Sequence, residues 1–416
     1  MNKEFYRKTI LDNGVRVISE RMPHLRSISI GVWIIVGSRD ETFDNNGISH
    51  VIEHMLFKGT ESRDVTQIAQ SLESVGGHLD AFTAREVSCY NAHILDEYLP
   101  LAIDILSDIL LHSVIDEKEL TKEKEVILRE INHTKDTPDE LIFEYFYKNL
   151  FPDHPLGFQI SGTRENVLKF SRNALINFMR QNYTPDRMIV AAAGNVNHDE
   201  LVELIQKKFN YPKRISEQSR QKFIWKQHRE QIHEDNCTQT HICLGIPGYA
   251  YSDKNKYALL ILHILLGGGM SSRLFQTVRE ANGLAYSIYT FPDFYFDTGV
   301  FGVYLATMPE QTDRAIELVK KELIQLSNGD LDLQELNRVK SQLKGNLMLS
   351  VESASSRMAR LANIEIYLKD YLTLDEALDK IEIVTLDQVH AVASDLFAEE
   401  KFYLTILKPK NSTYES

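Results

Sequence analysis

Two imidazoles one helical turn apart, with a carboxylate directly before the second, stand at His50-Val51-Ile52-Glu53-His54. On a helix, positions i and i+4 project from one face and i+3 lies beside them, so these three side chains can share one small volume. Such a donor set suits a catalytic zinc. The two rings would be ligands, and Glu53 would be left free as general base on a water activated by the metal.

The flanking residues predict the helix that this chemistry needs. Ile48, Val51, Ile52, Met55 and Leu56 recur at i, i+3, i+4, i+7 and i+8. His50, Glu53, His54 and Phe57 repeat that spacing two residues out of phase, roughly 200° away at ~100° per residue. One face anchors the helix and another presents the ligands. Asn45 or Asn46 can cap its start and Gly59 can stop it. The inverted order of the motif occurs among zinc peptidases. So short a motif also arises by coincidence, as two partly exposed, hydrogen-bonded histidines.

A catalytic zinc usually takes three protein ligands and keeps one position open. The segment TKEKEVILREINHTKDTPDE offers Glu123 and Glu130, seven apart and on one helix face, whereas Glu125 points elsewhere. From spacing alone the two are equal candidates. The same charged run also fits a solvated helix laced by i,i+4 pairs.

Alternating apolar residues around Asp12-Asn13-Gly14 predict a hairpin. Strands are expected at 27–36, 78–82, 86–94 and 188–193. Helices are expected near 65–75, 97–112, 117–133, 138–150, 165–181 and 199–209. Strands and helices mix without strict alternation, so the fold class is α+β rather than doubly wound. The polar, basic stretch Tyr211–Glu230 reads as a linker. The expected domains are therefore 1–212, carrying the metal, and 231–416, with residues 213–230 between them. The second half weakly replays the first. Aligning GVWIIVGSRDETFDNNGISHVIEHMLFKG with ICLGIPGYAYSDKNKYALLILHILLGGG puts His263 on His54, but Leu259 and Leu262 on His50 and Glu53. A second domain of like architecture without a metal site follows, with His263 packed in its core. The Gly267–Gly269 loop lacks the lysine and spacing of a phosphate-binding loop.

A chain of 416 residues is too long for one ordinary core. With 43% hydrophobic and 25% charged residues it has a soluble, globular composition. No apolar run is long enough to span a bilayer. The opening MNKEFYRKTILDNG has neither a signal core nor a transit-peptide character, so cytoplasmic residence without membrane partners is expected. The net charge of −13 disfavours nucleic-acid binding. Cys89, Cys237 and Cys243 are few and scattered, and read as buried small side chains.

These blocks together resemble the pitrilysin/insulinase family of inverted zinc metallopeptidases, above all its short bacterial processing proteases and the mitochondrial processing peptidase β-subunit. GISHVIEHMLFKGT, GGHLDAFTARE, HPLGFQISGT, YTPDRMIVAAAGNV and GGGMSSRLFQTVREANGLAYS carry the likeness in the family's order. The resemblance implies that Glu130 completes the metal site with His50 and His54, and that Glu123 supports it by orienting a ligand imidazole. It implies that Ala81 and Phe82 lie on an open edge strand to which a peptide adds. Asp80 stands where the family commonly has asparagine and cannot offer the amide donor. It further implies that Arg279 and Tyr286 hold substrate, and that Glu140 and Glu144 could bind a substrate arginine. The fold implied is two homologous domains, each a mainly antiparallel sheet packed with helices, forming half of a clamshell. A homodimer would complete the chamber, with Arg279 and Tyr286 of one copy serving the zinc of the other. The function implied is a zinc endopeptidase acting on short or unfolded peptides. The alternative is a non-catalytic or partner-dependent subunit, and manganese or cobalt could replace zinc in such a site.

Overall fold

The computed structural model describes residues 5–216, 219–225 and 230–410. The hairpin pairs β1 (Tyr6–Ile10) with β2 (Arg16–Arg21), and Gly14 takes the φ of +102° that its turn demands. With β3 (Ser27–Ile34), β4 (His78–Thr83), β5 (Ser88–Leu95) and β6 (Met188–Gly194) they form a six-stranded sheet, ordered β1-β2-β6-β3-β5-β4. All its pairings are antiparallel except β2 with β6. A second sheet joins β7 (Glu230–Asp235), β8 (Thr240–Gly248), β9 (Ala285–Phe294), β10 (Gly299–Thr307) and β11 (Tyr403–Pro409), ordered β7-β11-β8-β10-β9. The path β8, helix Lys256–Gly267, β9, β10 repeats the path β3, helix, β4, β5, and places its strands in the same relative order. The fold is α+β.

The central strands are buried on both faces, so they read as unbroken apolar runs such as MIVAAAG rather than as alternation. Each sheet then needs two helical layers. On one face of the first sheet, Val17, Ile30, Val32 and Val190 pack with Ile52 and Met55 of the motif helix and with Leu106. On the other face, Ile18, Trp33, Cys89 and Ile189 pack under Met358, Leu361 and Ala362, from the helix Ala354–Tyr367. The second sheet is covered in the same way by the helix Pro138–Leu150. Its Ile142, Phe146 and Leu150 meet Cys243, Tyr304 and Tyr403. Gly245 leaves room for this contact, since a Cβ there would lie 2.6 Å from the Phe146 ring.

The chain accordingly divides into two discontinuous units. One comprises 1–131, 158–221 and 350–373; the other comprises 132–157, 222–349 and 374–416. The contiguous division at 212 and 231 expected from sequence is crossed twice, once by each covering helix. The reason is that neither sheet finds its second apolar layer in its own stretch of sequence.

The expected linker is docked where it is described. Ser216 N–H donates to the Asp186 carboxylate, and Arg220 donates to Asp40 and to the Glu86 carbonyl. Trp225 Nε1 donates to Thr298 Oγ1 at 3.2 Å. Residues 217–218 and 226–229 lie outside the described residues. The helix expected over 165–181 is two, Arg164–Lys169 and Arg172–Asn182, because the Ser171 hydroxyl accepts from Ala174 N–H and starts a new helix there. Cys89 and Cys243 are buried, but Cys237 is only partly so. No helix among the described residues is long and apolar enough to cross a membrane.

Candidate metal centre

The motif helix spans Ile48–Leu56 and is capped by neither expected asparagine. Gly47 takes the cap position with φ +96°, back to back with Gly162, whose Cα lies 2.6 Å from where a Gly47 Cβ would sit. The free N–H groups are met instead by Glu41. Its Oε2 accepts from Gly47 N–H at 2.8 Å and from the Asn46 side chain at 2.9 Å, and its Oε1 accepts from Ser49 N–H at 2.9 Å. Burial pushes the Glu41 carboxyl up to about 7, while these three donors pull it down. Glu41→Gln would turn an amide N–H₂ toward an N–H donor, and should destabilise the protein by about 1–3 kcal/mol in urea unfolding.

His50 and His54 lie on the same helix face with ring centroids 4.6 Å apart. Their Nε2 atoms both face one oxygen of Glu130, at 3.8 Å from His50 and 3.6 Å from His54. His50, His54 and Glu130 are the one group of three or more such side chains among the described residues whose donor atoms converge closely enough to hold a metal ion. Tetrahedral zinc with bonds of about 2.0–2.1 Å sets its ligands about 3.3 Å apart, so the three donors fit with a small inward movement. Burial, with His54 nearby, lowers the His50 imidazole to about 4, which keeps it neutral, the form that binds a metal. Glu130 remains 45% exposed, so the cluster is open to solvent on that side.

Spacing alone could not separate Glu123 from Glu130; the geometry does. Glu123 is turned to the far side of the His54 ring, with Oε2 3.1 Å from Nδ1, while its Oε1 meets Lys58 Nζ at 2.9 Å. It therefore fixes the ring so that Nε2 is presented to Glu130. Glu123→Ala should weaken zinc affinity about 10–100-fold in a competition titration with a chelator, with the fold retained.

Glu53 is held beside the rings by the Thr83 hydroxyl, which donates to its Oε2. Burial raises the Glu53 carboxyl, an effect opposed by that hydrogen bond and by His54. Thr83 ends β4, which has β5 on one side and no strand on the other among the described residues. Ala81 and Phe82 sit on this edge strand opposite Tyr90 and Cys89, and Phe82 is 45% exposed. Asp80 Oδ1 accepts from Ala81 N–H at 2.9 Å, so it occupies a backbone donor of the strand.

In the second unit, Arg279 lies on a π-helical turn, Phe275–Glu280, and Tyr286 is the second residue of β9. The Arg279 guanidinium lies over the Phe275 ring at 4.6 Å and over the Tyr286 ring at 5.1 Å. The two residues singled out by sequence thus meet one another. Glu140 and Glu144 are one turn apart on the helix Pro138–Leu150, Glu140 exposed and Glu144 partly buried. His263 is hydrogen-bonded through Nδ1 to Thr290 Oγ1 at 2.8 Å, with Leu259 and Leu262 buried beside it.

Glu41, Lys58 and Thr83 were not found by sequence reasoning. A threonine at the end of a strand and an acid seven residues before a helix carry no periodic signal. Only tertiary contact reveals them.

Residues 16–164 match the insulinase family (peptidase family M16), and residues 169–343 match the peptidase M16 inactive domain. A protein of Bacillus subtilis (strain 168), named as the uncharacterized zinc protease YmxG, is 39% identical over 402 residues, 96% of this chain and 97% of its own. A Streptomyces coelicolor protein, also named an uncharacterized zinc protease, is 37% identical over 94% of this chain and 87% of its own. The crystal structure of a protease from Helicobacter pylori shares the fold with a TM-score of 0.91 at 23% identity, over 97% of this chain and 99% of that one. With two of its blocks matched in order and its similarity sustained from end to end, the chain belongs to the insulinase family, peptidase family M16, as one of its short bacterial members.

Proposed function

We propose that this protein is a zinc-dependent endopeptidase that hydrolyses short or unfolded peptides. The observation that carries this is the convergence of His50, His54 and Glu130, with Glu53 on the same helix held by Thr83. The relatives named zinc proteases support it. His50, His54 and Glu130 would hold one zinc per chain, which when bound polarises a peptide carbonyl and makes a water molecule more acidic. Glu53 takes the proton from the attacking water and delivers it to the leaving amine. Its raised pKa suits both halves of that task. The edge of β4 near Ala81 and Phe82 aligns the peptide as an added strand, once Asp80 releases the Ala81 amide. Arg279 and Tyr286 bind the substrate backbone through a guanidinium fork and a phenol.

On this reading the protein acts as a cytoplasmic homodimer without membrane or nucleic-acid partners, and a chamber closed by two copies would restrict substrates by size. The acidic pair Glu140 and Glu144 favours peptides with a basic residue near the scissile bond. Gel filtration is expected to give a dimer, and a fully active monomer would refute that part. A peptide-library profile should show Arg or Lys enrichment. Zinc content measured together with cleavage of a basic test peptide decides the main reading; bound zinc without cleavage would favour the partner-dependent subunit.

A further inference from the structure

A cavity of about 380 Å³ opens in the first unit on residues to which the metal site gives no role. This lies within the range of small-ligand pockets, roughly 300–1,000 Å³. It is formed by the end of the helix Leu99–His112, the turn at 113–115, the helix Arg172–Asn182, and the segments 183–185 and 211–214. Leu110, Ile115, Ile176, Met179 and Tyr211 make its apolar wall.

Three features set it apart from a packing defect. First, Arg172, Arg180 and Arg214 all line it, and among the described residues none of them has an acidic partner. Three guanidinia in one place without a carboxylate, Arg172 and Arg214 donating only to backbone carbonyls, are unexpected in a chain of net charge −13. Second, Thr184 lines it while only 1% exposed, and its hydroxyl has no hydrogen-bond partner among the described residues. Third, Ile115 in its wall has φ +45°, a conformation that β-branched residues rarely adopt. That conformation is held by Arg172, whose Nε donates to the carbonyls of Val114 and Ile115 at 3.1 Å. Strain of this kind collects at ligand clamps. The helix Glu117–Asp136, which carries Glu123 and Glu130, begins two residues later.

We propose that this cavity binds an amphiphilic carboxylate: a compact apolar group seated on the aliphatic wall, with its anionic end at the Arg180 and Arg214 guanidinia. Planar forks match a carboxylate, and the apolar wall rejects a bare hydrated anion. Such a group could be a free fatty carboxylate or the carboxy-terminus of a peptide ending in an apolar residue.

Calorimetric titration of the zinc-loaded protein with octanoate and with N-acetylphenylalanine tests this, with octylamine and inorganic phosphate as comparisons. At least one carboxylate should bind saturably at one site per chain, and whichever binds tighter identifies the source. Phosphate and octylamine should not compete. Arg180→Ala with Arg214→Ala, both at exposed positions, should weaken binding about tenfold or more. Ile176→Trp, which fills the apolar part and leaves all charges in place, should abolish it. The absence of saturable binding, equal affinity for octylamine, or affinity unchanged in either variant would overturn the proposal. In the last case the carboxylate sits elsewhere, as at the metal.

Discussion

Glu53→Gln is expected to lower peptide turnover by about 10²–10⁴-fold while leaving zinc content per chain unchanged. Glutamine keeps the shape of the side chain and can still accept from the Thr83 hydroxyl, so the helix and the presentation of His50 and His54 are preserved. What it loses is the ability to take and return a proton. The comparison with Glu130→Gln gives the experiment its force, since that substitution removes a carboxylate facing both Nε2 atoms and should empty the site of zinc. Elemental analysis and a fluorogenic peptide assay on the two variants therefore separate the roles. If Glu53→Gln cleaved at the wild-type rate, Glu53 would have no part in proton transfer and the proposed mechanism would fail.

The second large effect is on stability. Arg39 and Glu86 form an ion pair of 2.7 Å with both side chains 1% exposed. Glu86 is also reached by the Tyr367 hydroxyl at 3.0 Å and by Arg220 at 3.4 Å. Glu86→Ala removes a buried carboxylate that meets Arg39, Arg220 and the Tyr367 hydroxyl, and should reduce stability by about 3–5 kcal/mol in urea unfolding, because breaking a buried ion pair from one side is costly far from water. The Arg26–Asp96 pair is the control. It spans 3.2 Å, but Arg26 is 80% exposed, and breaking it should leave the midpoint unchanged. A Glu86→Ala midpoint equal to wild type would mean that water reaches Arg39.

The two candidate ligands on the motif helix were legible in the sequence because their spacing and the spacing of their apolar neighbours are both helical. The distinction between Glu123 and Glu130 was not legible in the residues themselves. It depends on which side of the His54 ring each carboxylate approaches, and that is set by the packing of a helix about seventy positions downstream. Resemblance to the family made the assignment; the structure places Glu130 facing both Nε2 atoms and Glu123 against Nδ1 of His54. The caps failed for a related reason. Asn45 and Asn46 have the right chemistry, but Glu41 reaches the same N–H groups from a preceding turn. Strand positions were legible wherever apolar runs ended in turn residues, as at Gly76 and Gly77. The domain boundaries were not, because a covering helix such as Ala354–Tyr367 has ordinary amphipathic patterning that names no partner sheet.

The crossing of the two covering helices bears on how this chain can be cut, expressed and inherited. A fragment ending near residue 212 would lack Met358, Leu361 and Ala362, and would leave Ile18, Trp33 and Ile189 facing solvent. The complementary fragment would lose Phe146 and Leu150 from above Cys243 and Tyr304. Each piece alone should precipitate, whereas the two co-produced should recover solubility by mutual complementation. Despite its duplicated design, the polypeptide has no clean cut at its middle, and neither repeat could be passed to another gene without its borrowed wall.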